Sequence, residues 1–332
     1  MNCDIICISE TLLHIDNVIH ISGYRWFGFN RSDIHVNAPK PSGGVGILVQ
    51  NWLTDHFEIN VIDKTCDGIL GIKFKNHNSD FEFIVYACYL PPEHSNRGRD
   101  TLGVNSRLLS QIYLYCESDA IFVMGDLNSR IGTLNDILQD IDHIPNRRAL
   151  DNSVNQHGHE LIDFLNEANF CVLNGRFREN NYTCISRKGK SVVDYICVPI
   201  DTFKNVKNFK VFKVQSIVEK SKLHEFIGEK SKLPDHSVIC CEYSTCINIP
   251  SSKIPTDTNS AEHRQKCFQF NRIPGDFMTS ELRRSALVAT IDLIENSRNT
   301  QESIDGIYDN LCEIILNEME TKIPKFTNKG NN

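Results

Sequence analysis

Nine short runs of β-branched and aromatic residues, separated by clusters of Gly, Pro, Asn and Asp, set the main limit on what this chain can fold into. They are DIICIS (4–9), VGILV (45–49), GILGIKF (68–74), FEFIVYACYL (81–90), AIFVMG (120–125), FCVLNG (170–175), YTCIS (182–186), SVVDYICV (191–198) and HSVICCEY (236–243). Such side chains suit a pleated, half-buried surface and the punctuating residues suit turns, so each run predicts a strand. Two stretches carry a helical period instead. One is about 101–118, with Leu108, Leu109, Ile112 and Leu114; the other is 157–170, with Leu161, Ile162, Phe164, Leu165 and Ala168. Helices thus interrupt the strands irregularly, without the steady alternation of a doubly wound parallel sheet. The expected fold is α+β, with helices outside two mostly antiparallel sheets.

The pattern changes after about residue 246. Residues 247–262 begin INIPSSKIPTDTNS, rich in Pro, Ser and Thr, and read as a linker. Within 263–332, the stretches 279–297 and 302–323 place apolar residues at i, i+3, i+4 and i+7, predicting two amphipathic helices too small to bury a core alone. The organisation expected is one domain over 1–246, a linker over 247–262 and a helical tail over 263–332.

Of the 332 residues, 35 are Lys or Arg and 42 are Asp or Glu, with 40% hydrophobic residues, which excludes a disordered or fibrous chain. A net charge of −7 excludes a uniformly basic nucleic-acid coat but not a local basic groove. Thirteen cysteines cannot all pair internally, and most lie inside apolar runs, as Cys7, Cys88, Cys197, Cys240 and Cys241 do. They read as reduced core thiols of an intracellular protein. Neither a leader-like N-terminus nor a membrane-length apolar run is present, so no membrane is expected as a partner.

Chemistry-bearing residues stand near strand ends. Glu10 closes DIICISE, Asp126 and Asn128 follow AIFVMG, Asp194 interrupts SVVDYICV, and Asp235 and His236 precede a strand. Aspartate is disfavoured inside strands, so Asp194 needs a partner or a task, and a His is the natural partner. Singly, each has a plain reading as a turn, a strand end or a polar loop. Together, carboxylates, an Asn and a His at consecutive strand ends are what a hard divalent cation and a phosphodiester require.

These segments resemble the endonuclease/exonuclease/phosphatase superfamily, which includes exonuclease III, pancreatic deoxyribonuclease and the apurinic-type endonucleases of non-LTR retrotransposons. DIICISET (4–11), SGGVGILV (42–49), YLPPEHS (89–95), FVMGDLNSRIG (122–132), NQHGHELIDFLNEANFCVLNGRF (155–177), YTCISRKGKSVVDYI (182–196) and LPDHSVI (233–239) carry the resemblance, in family order. The retrotransposon branch is the nearest in YLPPEHS, the NxxGxxLxxFL helix and the YT…GKSxxDYI hairpin. The resemblance implies a DNase I-like four-layer α/β/β/α sandwich, Mg²⁺ or Mn²⁺ as cofactor, and DNA as substrate, nicked to leave a 3′-hydroxyl. It implies Glu10 and Asp235 as metal-side acids, Asp126 and Asn128 around the attacking water, and His236 on the phosphate, oriented by Asp194. Tyr89 resembles the hydroxyl that contacts the phosphate.

Two departures stand out. Family members place an Asn-bearing strand and a helix ahead of the Glu10 strand, whereas Met1 lies three residues before DIICISE, so a sandwich without its first strand is expected. Pro234 stands where a Ser is usual before Asp-His. A catalytically impaired remnant that at most binds nucleic acid, and a phosphatase of the same fold acting on another phosphoester, are the competing expectations. The C-terminal helices resemble the segment preceding a reverse transcriptase, a partner region absent from this chain, and chromosomal DNA as substrate would imply a nuclear location.

Residues 186–232 hold eleven basic side chains against five acids. The hairpin tip Arg187, Lys188 and Lys190 is expected to contact DNA phosphates, as are Arg97 and Arg99, giving salt-dependent, largely sequence-independent binding. His157 and His159 read as the solvated start of a helix rather than a zinc pair, and SGGVG as the start of a strand packed closely on its neighbour.

Overall fold

The longest apolar run, FEFIVYACYL, can be apolar throughout because both of its faces find cover. A computed structural model describes residues 3–31, 41–95, 101–138, 142, 144–178, 180–223, 233–245, 273–296 and 301–323, with the backbone alone at 294–296 and 301–305. The run forms β6 (Glu82–Tyr89) inside a six-stranded sheet. Ile84, Tyr86 and Cys88 point into one buried cluster, while Val85 and Ala87, on the opposite face, point into another. A period of two splits one sequence run between two cores.

The large sheet has the order β4-β5-β6-β7-β11-β8, with β4 (Phe57–Asp63), β5 (Ile69–Asn76), β7 (Ala120–Asp126), β8 (Phe170–Val172) and β11 (Asp194–Pro199). All of its neighbours are antiparallel except β6 and β7, which are parallel. A parallel pair needs a crossover, here supplied by a connection containing α2 (Thr101–Leu114). With α3 (Gln156–Ala168), α2 covers one face of the sheet through Leu108, Ile112, Leu161, Ile162, Phe164 and Leu165.

The opposite face packs on a second layer. One part is β1 (Ile5–Ser9), β3 (Val45–Gln50) and β2 (Tyr24–Phe29), in the order β1-β3-β2; the other is a ribbon of β12 (Val206–Phe212) and β13 (Val238–Tyr243). Val45, Ile47 and Val49 from β3 and Phe209 and Val211 from β12 meet Leu70, Ile72, Phe122 and Ile196 of the large sheet in one cluster. Short helices α1 (Asn51–His56) and α4 (Val214–Lys220) directly follow β3 and β12. This is the α+β sandwich of two mostly antiparallel sheets expected from the sequence.

Three strands were not expected. In β2 (YRWFGF), Arg25 and Gly28 interrupt the apolar pattern; in β4 and β12 only one side is well buried, and Glu58, Asn60 and Lys207 face outward. Four of the lysines of the basic stretch, Lys204, Lys207, Lys210 and Lys213, therefore lie on or beside the β12 ribbon. Asp194 lies in a strand as expected, but the run SVVDYICV is broken at Val192 and Val193: β10 (Gly189–Ser191) ends before them and Asp194 opens β11. His157, expected in solvent, is buried, while His159 is exposed. The SGGVG segment does pack closely, with Gly46 under the Trp26 ring. All described cysteines are free.

The chain divides into two units, Met1–Ile249 and Pro250–Asn332. In the second, α5 (Glu281–Asn296) and α6 (Gln301–Lys322) pack together, and the buried Glu318 accepts from Arg283 Nε at 2.8 Å and pairs with Lys322 at 3.3 Å. The expected linker, 247–262, lies outside the described residues.

Helix α3 is tied to the turn after β7 through its cap. The Asn155 side chain accepts the Gly158 N–H at 2.9 Å and the Arg130 N–H at 2.7 Å, and donates to the Asn128 carbonyl at 3.0 Å. A Cβ at Gly158 would lie 2.0 Å from the Arg130 carbonyl oxygen, so the approach demands glycine. Replacing Asn155 by Ala removes the cap and leaves an inward amide unpaired, so stability should fall by about 2 kcal/mol. Urea unfolding should show this as a lower midpoint with an unchanged slope.

Candidate active site

Strand register assembles a row of polar side chains at one rim of the large sheet. Tyr89, last in β6, pairs with Asp126, last in β7, and Asp126 pairs with Asp194, first in β11. Because β7 and β11 are antiparallel, the end of one meets the start of the other. Beyond the strands the pairing continues: Leu90 N–H donates to the Asp126 carbonyl at 2.9 Å and Leu127 N–H to the Val193 carbonyl at 3.0 Å.

From this row, contacts run outward in both directions. On one side the Tyr89 hydroxyl donates to Glu10 Oε1, bringing in the residue that follows β1, and Glu10 itself is exposed. On the other, His236 Nδ1 lies 3.0 and 3.1 Å from the two Asp194 oxygens. His236 also forms a β-bridge with Cys184, the first residue of β9 (Cys184–Ser186), whose hairpin with β10 carries Arg187, Lys188 and Lys190 at or next to its tip. Arg187, Lys188 and Lys190 are exposed. Arg97 and Arg99 lie outside the described residues.

The electrostatics follow from crowding charge at a buried edge. Burial first, then Asp194 and Glu10, push Asp126 up to about 7, against the opposing effects of His236 and the Asn128 N–H. His236 is raised to about 11, chiefly by its hydrogen bond to Asp194 and further by the Cys184 thiol, against the cost of burial. The shift favours the imidazolium, the form in which the ring can donate to a phosphate oxygen. Burial and the Glu10 contact push the Tyr89 hydroxyl well up, so it stays a neutral donor. Asn128, with φ 47°, turns its N–H to Asp126 Oδ1 and its side-chain amide to Asp126 Oδ2, both at 3.0 Å, and to the Leu90 carbonyl at 2.8 Å.

Of the sequence-predicted residues, the fold thus links Glu10, Tyr89, Asp126, Asn128, Asp194 and His236 into one site. Asp235 stands beside His236 but is exposed, and its carbonyl accepts the Ile185 N–H at 2.8 Å. One ligand atom each from Asp126, Asp194 and His236 lies within 4.8 Å of the others, close enough to surround an ion. Two of the three groups are carboxylates, whose oxygens are hard ligands. Carboxylate oxygens with one imidazole are chemically fit to hold a divalent cation.

Several supporting residues were not recognised in the sequence. Thr183 is fully buried; its hydroxyl accepts the Val193 N–H at 3.0 Å and the Asp194 N–H at 3.1 Å, and its carbonyl accepts the Ser237 N–H at 2.6 Å. It holds the segments bearing Asp194 and His236 together. Asn174 donates to the Asp194 carbonyl at 2.9 Å, and Ser9 Oγ donates to the Cys88 carbonyl at 3.1 Å and meets the Asp126 N–H at 3.5 Å. Arg130 grips Asp151 through two hydrogen bonds of 2.8 and 2.6 Å, and Asp151 accepts the Val192 N–H at 3.3 Å. A β-branched Thr in YTCIS reads simply as a strand former, and only the register shows what its hydroxyl does.

Buried carboxylates beside an imidazole at the rim of a two-sheet sandwich are groups suited to the hydrolysis of phosphoester bonds. The chain is a member of the endonuclease/exonuclease/phosphatase family, whose model matches residues 1–210. Among solved structures it is similar to an AP endonuclease from Leishmania major, at 10% identity and a TM-score of 0.52, covering 73% of this chain and 79% of that one. The endonuclease domain of TRAS1, a telomere-specific non-LTR retrotransposon, is similar at 14% identity and a TM-score of 0.44, covering 68% and 83%. A 3′-5′ exonuclease from Neisseria meningitidis is similar at 12% and 0.45, covering 73% and 90%. No curated protein matches the chain. No helix among the described residues is long and apolar enough to cross a membrane.

Two outcomes test this geometry. Thr183→Val leaves two inward amides unpaired and should cost about 1–3 kcal/mol in urea unfolding, whereas Thr183→Ser should retain most of the stability. Since His236 binds its proton more tightly when folded, its contribution is complete below its ordinary value of 6.5 and fades as pH rises toward about 11. The urea midpoint should therefore fall between about pH 7 and 8.5 and fall less in His236→Gln, the difference between the two proteins being the part owed to His236 because unfolded thiols, with a pKa of about 8.5, ionise alike in both.

Proposed function

We propose that this chain is a Mg²⁺- or Mn²⁺-dependent DNA endonuclease of the retrotransposon type, which nicks one strand and leaves a 3′-hydroxyl. The observation that carries the reading is the unbroken series of contacts from Glu10 through Tyr89, Asp126 and Asp194 to His236, continuing into a hairpin with a basic tip. A nick requires charge neutralisation at phosphoryl oxygens, a base for water and a grip on flanking phosphates, and this series offers all three.

In the proposed reaction Asp126, pushed up to about 7, accepts the proton of the attacking water, and a base of that strength is well matched to neutral pH. Asn128, anchored by Asp126 and the Leu90 carbonyl, positions that water. The water oxygen bonds to phosphorus, the P–O3′ bond breaks, and the departing oxygen takes up a proton to become the 3′-hydroxyl. His236, kept protonated and oriented by Asp194, and Tyr89 donate to the phosphoryl oxygens. Glu10, with Asp235 as a second acid on the same side, would hold the divalent cation, whose positive charge would be set against the phosphate. Arg187, Lys188 and Lys190 contact phosphates along the strand, and Arg97 and Arg99 are assigned the same role.

The organisation proposed is a nuclease domain over 1–246 followed by a linker and a helical tail, 263–332, that precedes a reverse transcriptase region outside this chain. A nuclear location accompanies action on chromosomal DNA. Nicking of supercoiled plasmid in Mg²⁺ tests the reading. Asp126→Ala and His236→Ala should each slow nicking by roughly 10²–10⁴-fold, and chelation should abolish it until Mg²⁺ is restored. Equal nicking by wild type and Asp126→Ala, or none by either, would overturn it.

A further inference from the structure

The loop leaving Glu10 exposes aliphatic surface that the reaction does not use. Leu12 is 40% exposed, Ile15 57% and Val18 53%, on a loop that is tightly tied down. Thr11 and Leu12 donate their N–H groups to the Gly44 and Gly43 carbonyls at 3.1 and 3.0 Å. The single side-chain amide of Asn30 donates to the carbonyls of His14, Ile15 and Asn17 at 2.9, 3.3 and 2.8 Å. These anchors sit where β1 and β2 meet the start of β3, at the end of the sheet that carries Glu10. Ile21, also exposed, bridges to Tyr24 at the opposite end and belongs to no common surface with them.

The backbone conformation points the same way. Glu10 and Leu12 both have φ 53°, in the left-handed region that non-glycine residues rarely adopt. A leucine held there, in solvent and fixed by hydrogen bonds on both sides, is presented rather than merely uncovered.

Location identifies the occupant. The series of contacts that begins at Glu10 ends at the basic hairpin, so the site has one cationic bank and one apolar bank. Aliphatic side chains offer nothing to phosphates, yet they pack well on base faces when a step is unstacked, which is how apolar wedges kink duplex DNA from its minor groove. Resting on the DNA-nuclease reading above, we propose that Leu12 and Ile15 form a wedge that enters the base stack of duplex DNA beside the scissile phosphate, while Lys188 and Lys190 hold the backbone on the opposite bank. The enzyme would then favour steps that unstack easily, such as TA and CA, without a hydrogen bond to any base.

The test uses the full chain and a DNA duplex carrying 2-aminopurine at a TA step, in EDTA so that binding is read without cleavage. Wild type should bind with a rise in fluorescence as the reporter unstacks. Leu12→Ser/Ile15→Ser should bind about fivefold more weakly and lose the rise, with the slope of log affinity against log salt unchanged, because no counterion-releasing contact is removed. Lys188→Ala should instead lower that slope by about one and keep the rise. Both variants alter exposed side chains, and an unshifted thermal midpoint confirms that they fold. If the double Ser variant binds and unstacks the duplex as wild type does, the wedge is wrong while the DNA reading stands, and the patch is left to a protein partner. If wild type binds no duplex at all, the DNA reading falls and the wedge with it.

Discussion

The register of three adjacent strands is what the rest of this protein depends on. Tyr89, Asp126 and Asp194 are neighbours because β6 and β7 run parallel while β7 and β11 run antiparallel, so two strand ends and one strand start share a rim. A slip of one residue in β11 would turn Asp194 to the other face and break its pairing with His236. The register is itself pinned by backbone fit. Gly125 adopts φ 147° directly before Asp126, where a Cβ would lie 1.8 Å from the Cys88 carbonyl oxygen. Glycine lets the chain turn into the rim while β7 remains hydrogen-bonded to β6.

Bringing carboxylates together at a buried edge is unfavourable, and the surrounding structure shows how it is sustained. The His236 imidazolium offsets part of the repulsion, and amide donors from Thr183, Asn128 and Asn155 networks fix the segments that carry the acids. Farther out, Arg176 donates to Asp136 at 2.7 Å and to two carbonyls, tying β8 to the connection after β7. Arg176, like Arg130 on Asp151, is structural, being committed to internal acids or carbonyls. Among the described residues, the hairpin's Arg187, Lys188 and Lys190 face solvent beside the site.

Most of the large sheet was legible because its strands are buried on both faces and read as unbroken apolar runs; VYACYL and AIFVMG needed no tertiary knowledge. The amphipathic helices α2, α3, α5 and α6 were legible from their period. What escaped was half-buried: β2, β4 and β12 alternate with charges and glycine and resemble loops until a partner strand supplies their pairing. At the site, acids at strand ends announced themselves, since Asp is disfavoured within strands. Thr183, Asn174 and Ser9 did not, because Thr and Ser suit strands and turns anyway, and their roles depend on residues far away in sequence. The missed strand break ahead of Asp194 has the same origin: Val192 and Val193 lie between β10 and β11, and valines disguise a break as strand.

The division of labour between rim and core bears on how such a chain changes over time. Rim positions are set by backbone pairing, and the aliphatic residues beneath need only keep their volume and face. Sequence can therefore turn over widely through the interior while a few short segments stay put. Relatives should be recognisable by the order and spacing of a Glu closing an early strand, a GD-x-N turn, an N-x-x-G helix start, a Thr ahead of a buried Asp, and a DH before the last strand, long after overall identity has ceased to be informative.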